Sequence, residues 1–545
     1  MASVKFNKKV FEKEIGKLTD EMQNKIALFG TTVESLTENE IELDITPDRP
    51  DLLSYYGFRR AFLGFLGRKI GMREYKLNKP AKGYEVKVDA TVKDVRPHIA
   101  CAIVKGVKFD DEKIKDIIEL QEKLHSTIGR RRKKLAIGVY PLDKVKLPIS
   151  YKAMEPDKIK FVPLEMNKEM SGLEILQRHP AGQEYSQLLA GKAKFPVFMD
   201  ADKNVLSMPP IINSELTGRV TTKTKNVFVE CSGFDVEILN KCLNIVVSTL
   251  AEMGGKIYRM KVKGKMSPNF DFDKRNLSVE NTNKLLGLKL KEKEVKLLIE
   301  KMGHNYKSGV VEIPSWRVDI LHEVDLIEDV AIAYGYDKFV PEIPEISSIG
   351  KEDSREIIKK KIAEVLVGLG LLEISNYHLT KKNDQLINMG ISEKQDRNFI
   401  EVEESKTEYN ILRRDLTHYA LKIISENVDS VYPQRIFEMG TIFNLDGKEI
   451  DEFERLCVAS TPGNFTDVRQ ILDYLGKMVG VEFEVKEYLE KKPHFIEGRV
   501  GEILLKGKQV GLIGEVHPRI LKNWKIKMPV SLFEIDLEKV FLEFI

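Results

Sequence analysis

Residues 313–330 read Ile-Pro-Ser-Trp-Arg-Val-Asp-Ile-Leu-His-Glu-Val-Asp-Leu-Ile-Glu-Asp-Val, and they gather carboxylates at a spacing that folding alone does not require. The pattern predicts a strand that runs into a helix. Apolar residues at helical spacing form the expected buried stripe of that helix. Its members are Val324, Ile327, Ala331 and Tyr334.

Three acidic residues lie on a neighbouring face of the predicted helix, because Asp325, Glu328 and Asp329 stand at positions i, i+3 and i+4. Asp319, on the predicted strand, approaches the same patch. Four carboxylates repel one another unless a cation or a basic partner compensates them. Oxygen ligands without Cys or His favour Mg2+ or Ca2+ over zinc. Acidic residues in a first helical turn also complement the helix dipole, so both interpretations stay open on these residues alone.

Length and composition limit the class of protein. A chain of 545 residues is too long for one hydrophobic core, so several domains are expected. Its 42% hydrophobic and 31% charged residues are typical of a globular protein and exclude a disordered or fibrous one. Because the net charge is only +3, any contact with nucleic acid must use local basic patches.

Cysteine usage and hydropathy indicate a cytoplasmic protein. The four cysteines are scattered and include no C-x-x-C pair, which suits a reducing compartment. The first residues contain no apolar signal core, and no later run approaches the length needed to cross a membrane. We therefore expect a cytoplasmic protein without membrane contact.

Turn signals and basic runs mark the first half of the chain. Residues 46–54 read Thr-Pro-Asp-Arg-Pro-Asp-Leu-Leu-Ser and predict a turn before a helix, with Asp51 as its N-cap. Residues 207–215, Ser-Met-Pro-Pro-Ile-Ile-Asn-Ser-Glu, cannot form a regular helix because adjacent prolines forbid it. Between them lies a run of cations that either contacts nucleic-acid phosphates or forms a solvated loop. The run consists of Arg130, Arg131, Arg132, Lys133 and Lys134.

The second half predicts two further units. Residues 265–342 give helix, helix, strand and acidic helix, an order typical of a winged-helix-like module. A proline-punctuated linker follows, and residues 348–545 then combine a helix with several strands, which indicates an antiparallel sheet with flanking helices. His517 in this last unit is interpreted as structural, because no serine, cysteine or metal constellation accompanies it.

The acidic stretch with the following Ala333-Tyr-Gly-Tyr-Asp337 resembles the signature of the phenylalanyl-tRNA synthetase beta subunit, of the archaeal and eukaryotic type. The resemblance spans nearly the full length and includes the strings Pro47-Asp-Arg-Pro-Asp-Leu-Leu-Ser54 and Phe437-Glu-Met-Gly440. It implies an α+β multidomain fold. The implied parts are an N-terminal mixed domain at 1–92, an editing domain at 93–260, a winged-helix-like metal-binding domain at 265–342, and a class II synthetase-like antiparallel sheet domain at 348–545 without its catalytic motifs.

The resemblance also implies ligands and partners. It places Mg2+ on Asp319, Asp325, Glu328 and Asp329. It implies an alpha subunit that carries the synthetic site, an alpha2beta2 tetramer, ATP as a substrate of the complex, and tRNA(Phe), for which the basic run at 130–134 is a candidate contact. Because no nucleophile or phosphate loop surrounds the acidic patch, its metal is expected to brace a domain or subunit contact.

The loop at 207–215 and the string Glu230-Cys-Ser-Gly-Phe-Asp235 resemble the editing domain of that family, which hydrolyses tyrosine wrongly attached to the phenylalanine tRNA. A phenylalanine pocket rejects a ring with one extra hydroxyl only modestly, so a second site that recognises the hydroxyl supplies the missing discrimination. The candidates for this editing pocket are Ser214, Glu230 and Ser232. The family carries a Thr-Gly-Thr-Asp-like string here, and Phe234 replaces its second threonine.

Missing motifs complete the prediction. The last unit lacks the arginine-bearing motif and the glycine-rich segment ending in arginine of a catalytic class II domain, so we expect that this chain does not make phenylalanyl adenylate alone. Two other functions are considered. A stand-alone winged-helix regulator would bind duplex DNA, but the third unit lacks a strongly basic recognition helix. A metal-dependent phosphodiesterase would activate water at the acidic patch, but beyond His322 no histidine is near in sequence.

Overall fold

The computed structural model describes residues 2–392, 399–403, 405–447 and 449–544. The chain divides into two compact units, Met1–Ile343 and Pro344–Ile545. Both units combine helices with sheets, so the α+β prediction is confirmed in this coarse form. Among the described residues, none of the helices has the length and apolar character that a membrane crossing requires.

The described residues of the first unit form eleven α-helices. They are α1 (Lys8–Glu14), α2 (Asp20–Leu28), α3 (Tyr55–Phe65), α4 (Asp111–Ser126), α5 (Gly172–Arg178), α6 (Pro180–Tyr185), α7 (Glu215–Gly218), α8 (Val236–Glu252), α9 (Val279–Leu286), α10 (Glu292–Lys301) and α11 (Glu323–Tyr334). Its strands are β1 (Ala2–Asn7), β2 (Thr32–Leu36), β3 (Glu40–Ile45), β4 (Leu77–Asn78), β5 (Glu85–Val88), β6 (His98–Lys105), β7 (Leu135–Pro141), β8 (Ile149–Met154), β9 (Lys160–Phe161), β10 (Met170–Ser171), β11 (Phe195–Met199), β12 (Val205–Met208), β13 (Ile212–Asn213), β14 (Asn226–Gly233), β15 (Lys256–Tyr258), β16 (Met260–Val262), β17 (Lys265–Ser267), β18 (Asp273–Asn276), β19 (Asn305–Lys307) and β20 (Val310–Ile313).

Two sheets form the middle of this unit. One has the order β4-β15-β6-β14-β7, and the other has the order β13-β12-β11-β8-β5-β16-β17. An apolar cluster that includes Phe228, Tyr151 and Phe198 lies between them. On the other face of the first sheet, alternate residues of β14 such as Val229 and Cys231 pack with α4 and α8. Side chains of β14 therefore alternate between helices and the second sheet, as the pleat of a strand requires.

The first unit is continuous across the predicted region boundaries. Strands β4 and β5 precede residue 92, but each joins a sheet of the following region. One apolar cluster runs from the three-stranded sheet β1-β3-β2 and helix α3 through α8 to α10 and α11. A shared core of this kind fixes the relative positions of the segments that build the candidate sites within this unit.

Helix α3 begins differently from the prediction. Its N-cap is Ser54, whose hydroxyl accepts a hydrogen bond from the Gly57 amide at 3.0 Å. Asp51 lies in a short 3-10 turn, Pro50–Leu52, and its carboxylate binds the Arg49 guanidinium through two hydrogen bonds of 2.9 Å. Prediction of Asp51 as the cap was wrong because an adjacent arginine competes for the same oxygen atoms.

The acidic stretch also folds differently in detail. Strand β20 ends at Ile313, and residues 314–322 form an irregular connection that carries Asp319. Helix α11 buries Leu326, Ile327 and Val330, whereas Val324 is 49% exposed. Prediction of Val324 in the buried stripe was wrong because the apolar face is centred on later residues of the helix.

The second unit is built on one large sheet. Its described helices are α12 (Ser354–Gly368), α13 (Thr417–Glu426), α14 (Phe465–Val479), α15 (Pro518–Asn523) and α16 (Leu537–Phe541), and its strands are β21 (Leu372–Glu373), β22 (Leu379–Lys381), β23 (Tyr409–Leu412), β24 (Gln434–Asp446), β25 (Glu449–Thr461), β26 (Phe483–Glu487), β27 (Phe495–Leu505), β28 (Lys508–Val516) and β29 (Ser531–Asp536). The sheet order is β21-β24-β25-β29-β28-β27-β26, antiparallel except at β21. Helices α12 and α14 pack on one face, and α13 and α15 on the other.

Candidate functional site

A cavity of about 370 Å³ lies in the first unit, between α4, β7 and the proline-containing segment 207–213. Adjacent prolines keep that segment out of a helix, as predicted, and it connects β12 to β13 in a turn. Apolar side chains dominate much of the wall. They include Ile117, Ile137, Val139, Leu164, Ile211 and Val220.

Glu230 is the buried acid of this cavity. It is 1% exposed, and its Oε1 lies 3.2 Å from the Tyr140 hydroxyl. Its Oε2 is buried and has no hydrogen-bond partner among the described residues. Of the three editing-pocket candidates, all within the described part of the chain, Glu230 alone lines the cavity.

Burial raises the pKa of Glu230 to about 8, although the hydrogen bond from Tyr140, the charge of Arg96 and the nearby Ser232 hydroxyl oppose the shift. Glu230 is therefore mostly a neutral acid at pH 7. The Tyr140 hydroxyl also lies 3.2 Å from Asn213 Oδ1. A phenol has one hydrogen, so Tyr140 donates to Glu230 Oε1 or to Asn213 Oδ1 but not to both at once. Neither contact uses Oε2 of Glu230, which stays available to a further partner.

Tyr140 and Asn213 were not among the predicted site residues. Both stand inside segments that the sequence marks, since Tyr140 lies in strand β7 and Asn213 follows the paired prolines. Their polarity in otherwise apolar surroundings was the available signal. Tyr140 contacts Asn213 and Glu230 across 73 and 90 residues of chain, and local patterns do not contain such contacts.

Ser214 and Ser232 lie close to the cavity but outside its lining. The amide of Ser214 donates to the Leu206 carbonyl at 2.8 Å and so anchors the segment that carries Asn213. Ser232 is fully buried and accepts from Arg96 Nε at 3.2 Å, and its carbonyl accepts from Arg96 Nη2 at 2.9 Å. Phe234 is 52% exposed, and its ring lies against the Arg96 guanidinium at 5.4 Å.

The basic run forms a strained turn at the cavity. Arg130, Arg131 and Arg132 have φ angles of 45°, 52° and 62°, a left-handed conformation that side chains other than glycine disfavour. Arg132 lines the cavity, binds Glu122 at 2.9 Å and donates to the Ile211 carbonyl at 2.8 Å. The other four cations of the run are exposed. Arg132 thus ties the turn to the cavity wall, and its neighbours face solvent.

The acidic cluster is organised around a buried arginine. Arg317 is 4% exposed and donates to Asp319 Oδ2 at 2.6 Å and to Asp329 Oδ2 at 2.9 Å. Asp329 is 3% exposed, so it is buried, although its spacing predicted a position on a face beside the buried stripe. Burial alone would raise the pKa of Asp329, but the adjacent Arg317 and a hydrogen bond from His304 lower it.

His304 is the residue of this cluster that sequence spacing did not reveal. It is fully buried, and its Nε2 lies 2.7 Å from Asp329 Oδ2. Burial lowers the pKa of His304 despite this contact. A separation of 25 residues hides the pair from any helical or strand pattern.

The remaining two acids occupy other environments. Asp325 Oδ2 accepts from the amides of Leu321 and His322 at 2.7 Å and closes a capping box at the start of α11. The pKa of Glu328 is raised by burial and by the charges of Asp329, Asp48 and other nearby acids. In the described part of the chain, no group of three or more His, Cys, Asp or Glu side chains is arranged to hold a metal ion. The predicted four-carboxylate set therefore does not fit one shared Mg2+ site, because Arg317 already holds two of its members.

Two family models match the chain. The model of the "Phenylalanyl tRNA synthetase beta chain CLM domain" matches residues 340–537, and that of the "tRNA synthetase B5 domain" matches residues 275–336. The phenylalanine–tRNA ligase beta subunit of Pyrococcus furiosus is 40% identical over 512 residues, which cover 91% of this chain and 90% of that protein. The chain belongs to the family of phenylalanine–tRNA ligase beta subunits.

Other phenylalanine–tRNA ligase beta subunits agree. The beta subunit of Archaeoglobus fulgidus is 36% identical, and the match covers 97% of both chains. A crystal structure of an N-terminal fragment of the beta subunit from Pyrococcus horikoshii matches with a TM-score of 0.59 and 38% identity, covering 61% of this chain and 99% of that one. The predicted resemblance is confirmed, and these relatives support neither the stand-alone regulator nor the phosphodiesterase.

Proposed function

We propose that this chain acts as the beta subunit of a cytoplasmic phenylalanine–tRNA ligase and that the cavity around Glu230 removes tyrosine from mischarged tRNA(Phe). The observation that carries the editing proposal is the buried, neutral Glu230, whose Oε2 has no hydrogen-bond partner among the described residues, in a cavity whose wall is largely apolar. An aromatic ring fits the apolar wall, and a ring hydroxyl supplies the donor that Glu230 Oε2 lacks.

The geometry supports a role of Glu230 in recognition. Tyrosine donates its hydroxyl hydrogen to Glu230 Oε2, whereas phenylalanine leaves that buried oxygen without a partner and is disfavoured. Hydrolysis then adds water to the ester carbonyl carbon. The bond from this carbon to the ribose oxygen breaks, tyrosine leaves as the acid, and the ribose oxygen takes a proton. Ser214 anchors the segment that carries Asn213, and Ser232 binds Arg96, so both serines act by positioning their neighbours.

The exposed cations beside Arg132 are suited to bind the tRNA part of the substrate. Arg130, Arg131, Lys133 and Lys134 face solvent next to a residue of the cavity wall. Phosphates of the tRNA acceptor end pair with such side chains without sequence preference. We therefore assign residues 93–260 as the editing domain and the run at 130–134 as its tRNA contact.

Deacylation assays test the proposal. Glu230→Met removes the acceptor, so hydrolysis of Tyr-tRNA(Phe) by the chain in complex with its alpha subunit should fall about 10- to 100-fold, the range expected for a buried polar group left unpaired. Glu230→Gln keeps a neutral side chain of the same shape that has both an acceptor and a donor, so it should retain most of the rate.

Charging of tRNA(Phe) with phenylalanine should be unchanged in both variants, which separates a local effect from misfolding. Wild-type deacylation by Glu230→Met would remove Glu230 from the editing site. Phe234→Thr restores the family pattern beside Arg96 and tests whether that position affects the rate.

For the synthetic reaction we propose an alpha2beta2 complex whose alpha subunit binds ATP and phenylalanine. The second unit, assigned as a class II synthetase-like domain, exposes apolar residues in this part of the chain: Leu372 in the edge strand β21 is 67% exposed, and Tyr377, five residues further along, is 85% exposed. Exposed apolar residues in a cluster mark contact surfaces. Leu372→Glu should weaken assembly with the alpha subunit in light scattering, and Lys486→Glu in β26 at the opposite sheet edge should not.

Phenylalanine-dependent exchange between ATP and pyrophosphate tests the division of labour. The chain alone should show none, and the complex should show it. Exchange by the chain alone would overturn the assignment of the synthetic site to the alpha subunit.

For Mg2+ we propose a smaller site than the four-carboxylate set. Mg2+ often uses one or two carboxylates and keeps several waters. Asp325 and Glu328, in the proposed winged-helix-like domain at 265–342, are the members that Arg317 does not hold, and the ion would supply positive charge beside them. Glu328→Gln should abolish any rise in melting temperature with added Mg2+. Retention of that rise would exclude Glu328 as a ligand.

A further inference from the structure

A second cavity, of about 390 Å³, lies in the second unit on the face of the large sheet that packs with α13. Strands β25, β27, β28 and β29 contribute to its floor and walls. Its size falls within the range of small-molecule sites in proteins. The cavity belongs to neither the editing pocket nor the acidic cluster, which lie in the first unit.

Charge in this cavity is unbalanced. Four basic and two acidic side chains line it. The basic ones are Arg414, Arg455, Lys492 and Lys539, and the acidic ones are Asp415 and Glu534. Both acids are already used by the protein. Glu534 Oε2 accepts from the Leu416 amide and from the amide and hydroxyl of Thr417, and Asp415 contacts His418 Nδ1 at 2.9 Å.

Two buried nitrogen atoms of the wall lack partners. Arg455 Nε and His494 Nδ1 are both inaccessible and have no hydrogen-bond partner among the described residues. The nearest carboxylate to Arg455, that of Asp536, is 4.0 Å from Nη2, which is too long for a hydrogen bond. Buried donors in native proteins are almost always satisfied. A ligand acceptor would satisfy the Arg455 Nε donor.

The strand register places Arg455 and Leu532 at different levels of the cavity. Arg455 pairs with Asp536, and Ala459 pairs with Leu532, so these two levels are four residues apart along β25 and β29. At about 3.3 Å per residue this is about 13 Å. Leu532 and Phe495 line the cavity, as does Lys539, next to Asp536.

We propose that this cavity binds a small organic anion whose phosphate or carboxylate contacts Arg455 and Lys539 and whose flat apolar body lies against Leu532 and Phe495. A nucleoside monophosphate and an aromatic carboxylate share this chemistry. Arginine forks bind either anionic group through paired hydrogen bonds. The inference does not depend on the editing proposal.

Isothermal titration of the full chain, without an alpha subunit, tests it with AMP, phenylpyruvate and inorganic pyrophosphate. AMP or phenylpyruvate should bind with a Kd below about 1 mM, and the one that binds identifies the anionic group. Pyrophosphate should bind more weakly, because it has no apolar body. Arg455→Gln and Lys539→Gln should each weaken binding, about tenfold for Arg455, and Lys486→Gln should not.

Lys539 is a surface residue whose side chain is 47% exposed, so its variant is expected to fold. Absence of binding by both organic probes would overturn the proposal. So would equal binding by the wild type and both variants, or pyrophosphate binding as tightly as the organic anions.

Discussion

Glu230 and Asp329 are two buried carboxyl groups with opposite ionisation. They are 1% and 3% exposed, yet the pKa of Glu230 is raised and that of Asp329 is lowered. Asp329 contacts Arg317 and His304 directly. Glu230 has Arg96 nearby, but Arg96 is bound to Ser232 instead. A direct cationic partner therefore decides which buried acid is charged, and the uncharged one keeps an oxygen available for a ligand.

The largest expected effect comes from removing Arg317, the cationic partner of Asp329. Arg317→Met removes the direct cationic partner of the buried Asp329 and the half-buried Asp319, so stability should fall by about 3–5 kcal/mol. Differential scanning calorimetry measures the loss in the transition of the first unit. The matched control is Arg178→Met, which removes a surface pair with Glu174 in the same unit and should cost at most about 1 kcal/mol. Equal losses would show that Arg317 does not compensate the cluster.

The raised pKa of Glu230 predicts that the stability of the protein depends on pH. Between the ordinary carboxyl pKa of 4.5 and about 8, folded wild type keeps a proton on Glu230 that the unfolded chain releases. This contribution to stability is fully present below pH 4.5 and is lost as the pH rises through about 8. Glu230→Gln lacks it, so the stability of the variant relative to wild type should grow by about 1.4 kcal/mol per pH unit in that window.

Melting temperatures of both proteins from pH 4 to 9 check this expectation. Glu169→Gln, at an exposed glutamate of the same region, should show no such growth. A constant difference between Glu230→Gln and wild type across the range would mean that Glu230 is ionised when folded.

The two acids also show how far sequence reasoning reaches. The family and the coarse α+β architecture follow from local strings, because strings such as the one at 313–330 are contiguous. The charge state of either acid does not follow, because it depends on contacts made by folding. Arg317 stands two residues from Asp319, so that pair was visible in the sequence. The contacts of Asp329 with His304, and of Glu230 with Tyr140, cross 25 and 90 residues.

The smallest effect is expected at the rim of the Glu230 cavity, where the exposed cations of the run at 130–134 face solvent. Arg131 has a φ angle of 52°, and glycine adopts that conformation without strain. Arg131→Gly should therefore raise stability by up to about 1 kcal/mol while it removes one positive charge. If this charge contacts a tRNA phosphate, the slope of log affinity against log salt should decrease by about one.

Lys133→Gly is the matched control for this variant. It removes the same charge from the same turn, but Lys133 is not in the left-handed region, so glycine there should lower stability by about 0.5–1 kcal/mol. Opposite signs in the two melting temperatures, with similar losses in tRNA affinity, would separate backbone strain from charge. A fall in stability for both variants would mean that the Arg131 side chain stabilises the turn. The cavity rim would then resemble the Arg317 cluster, in which the arginine side chain itself holds the structure together.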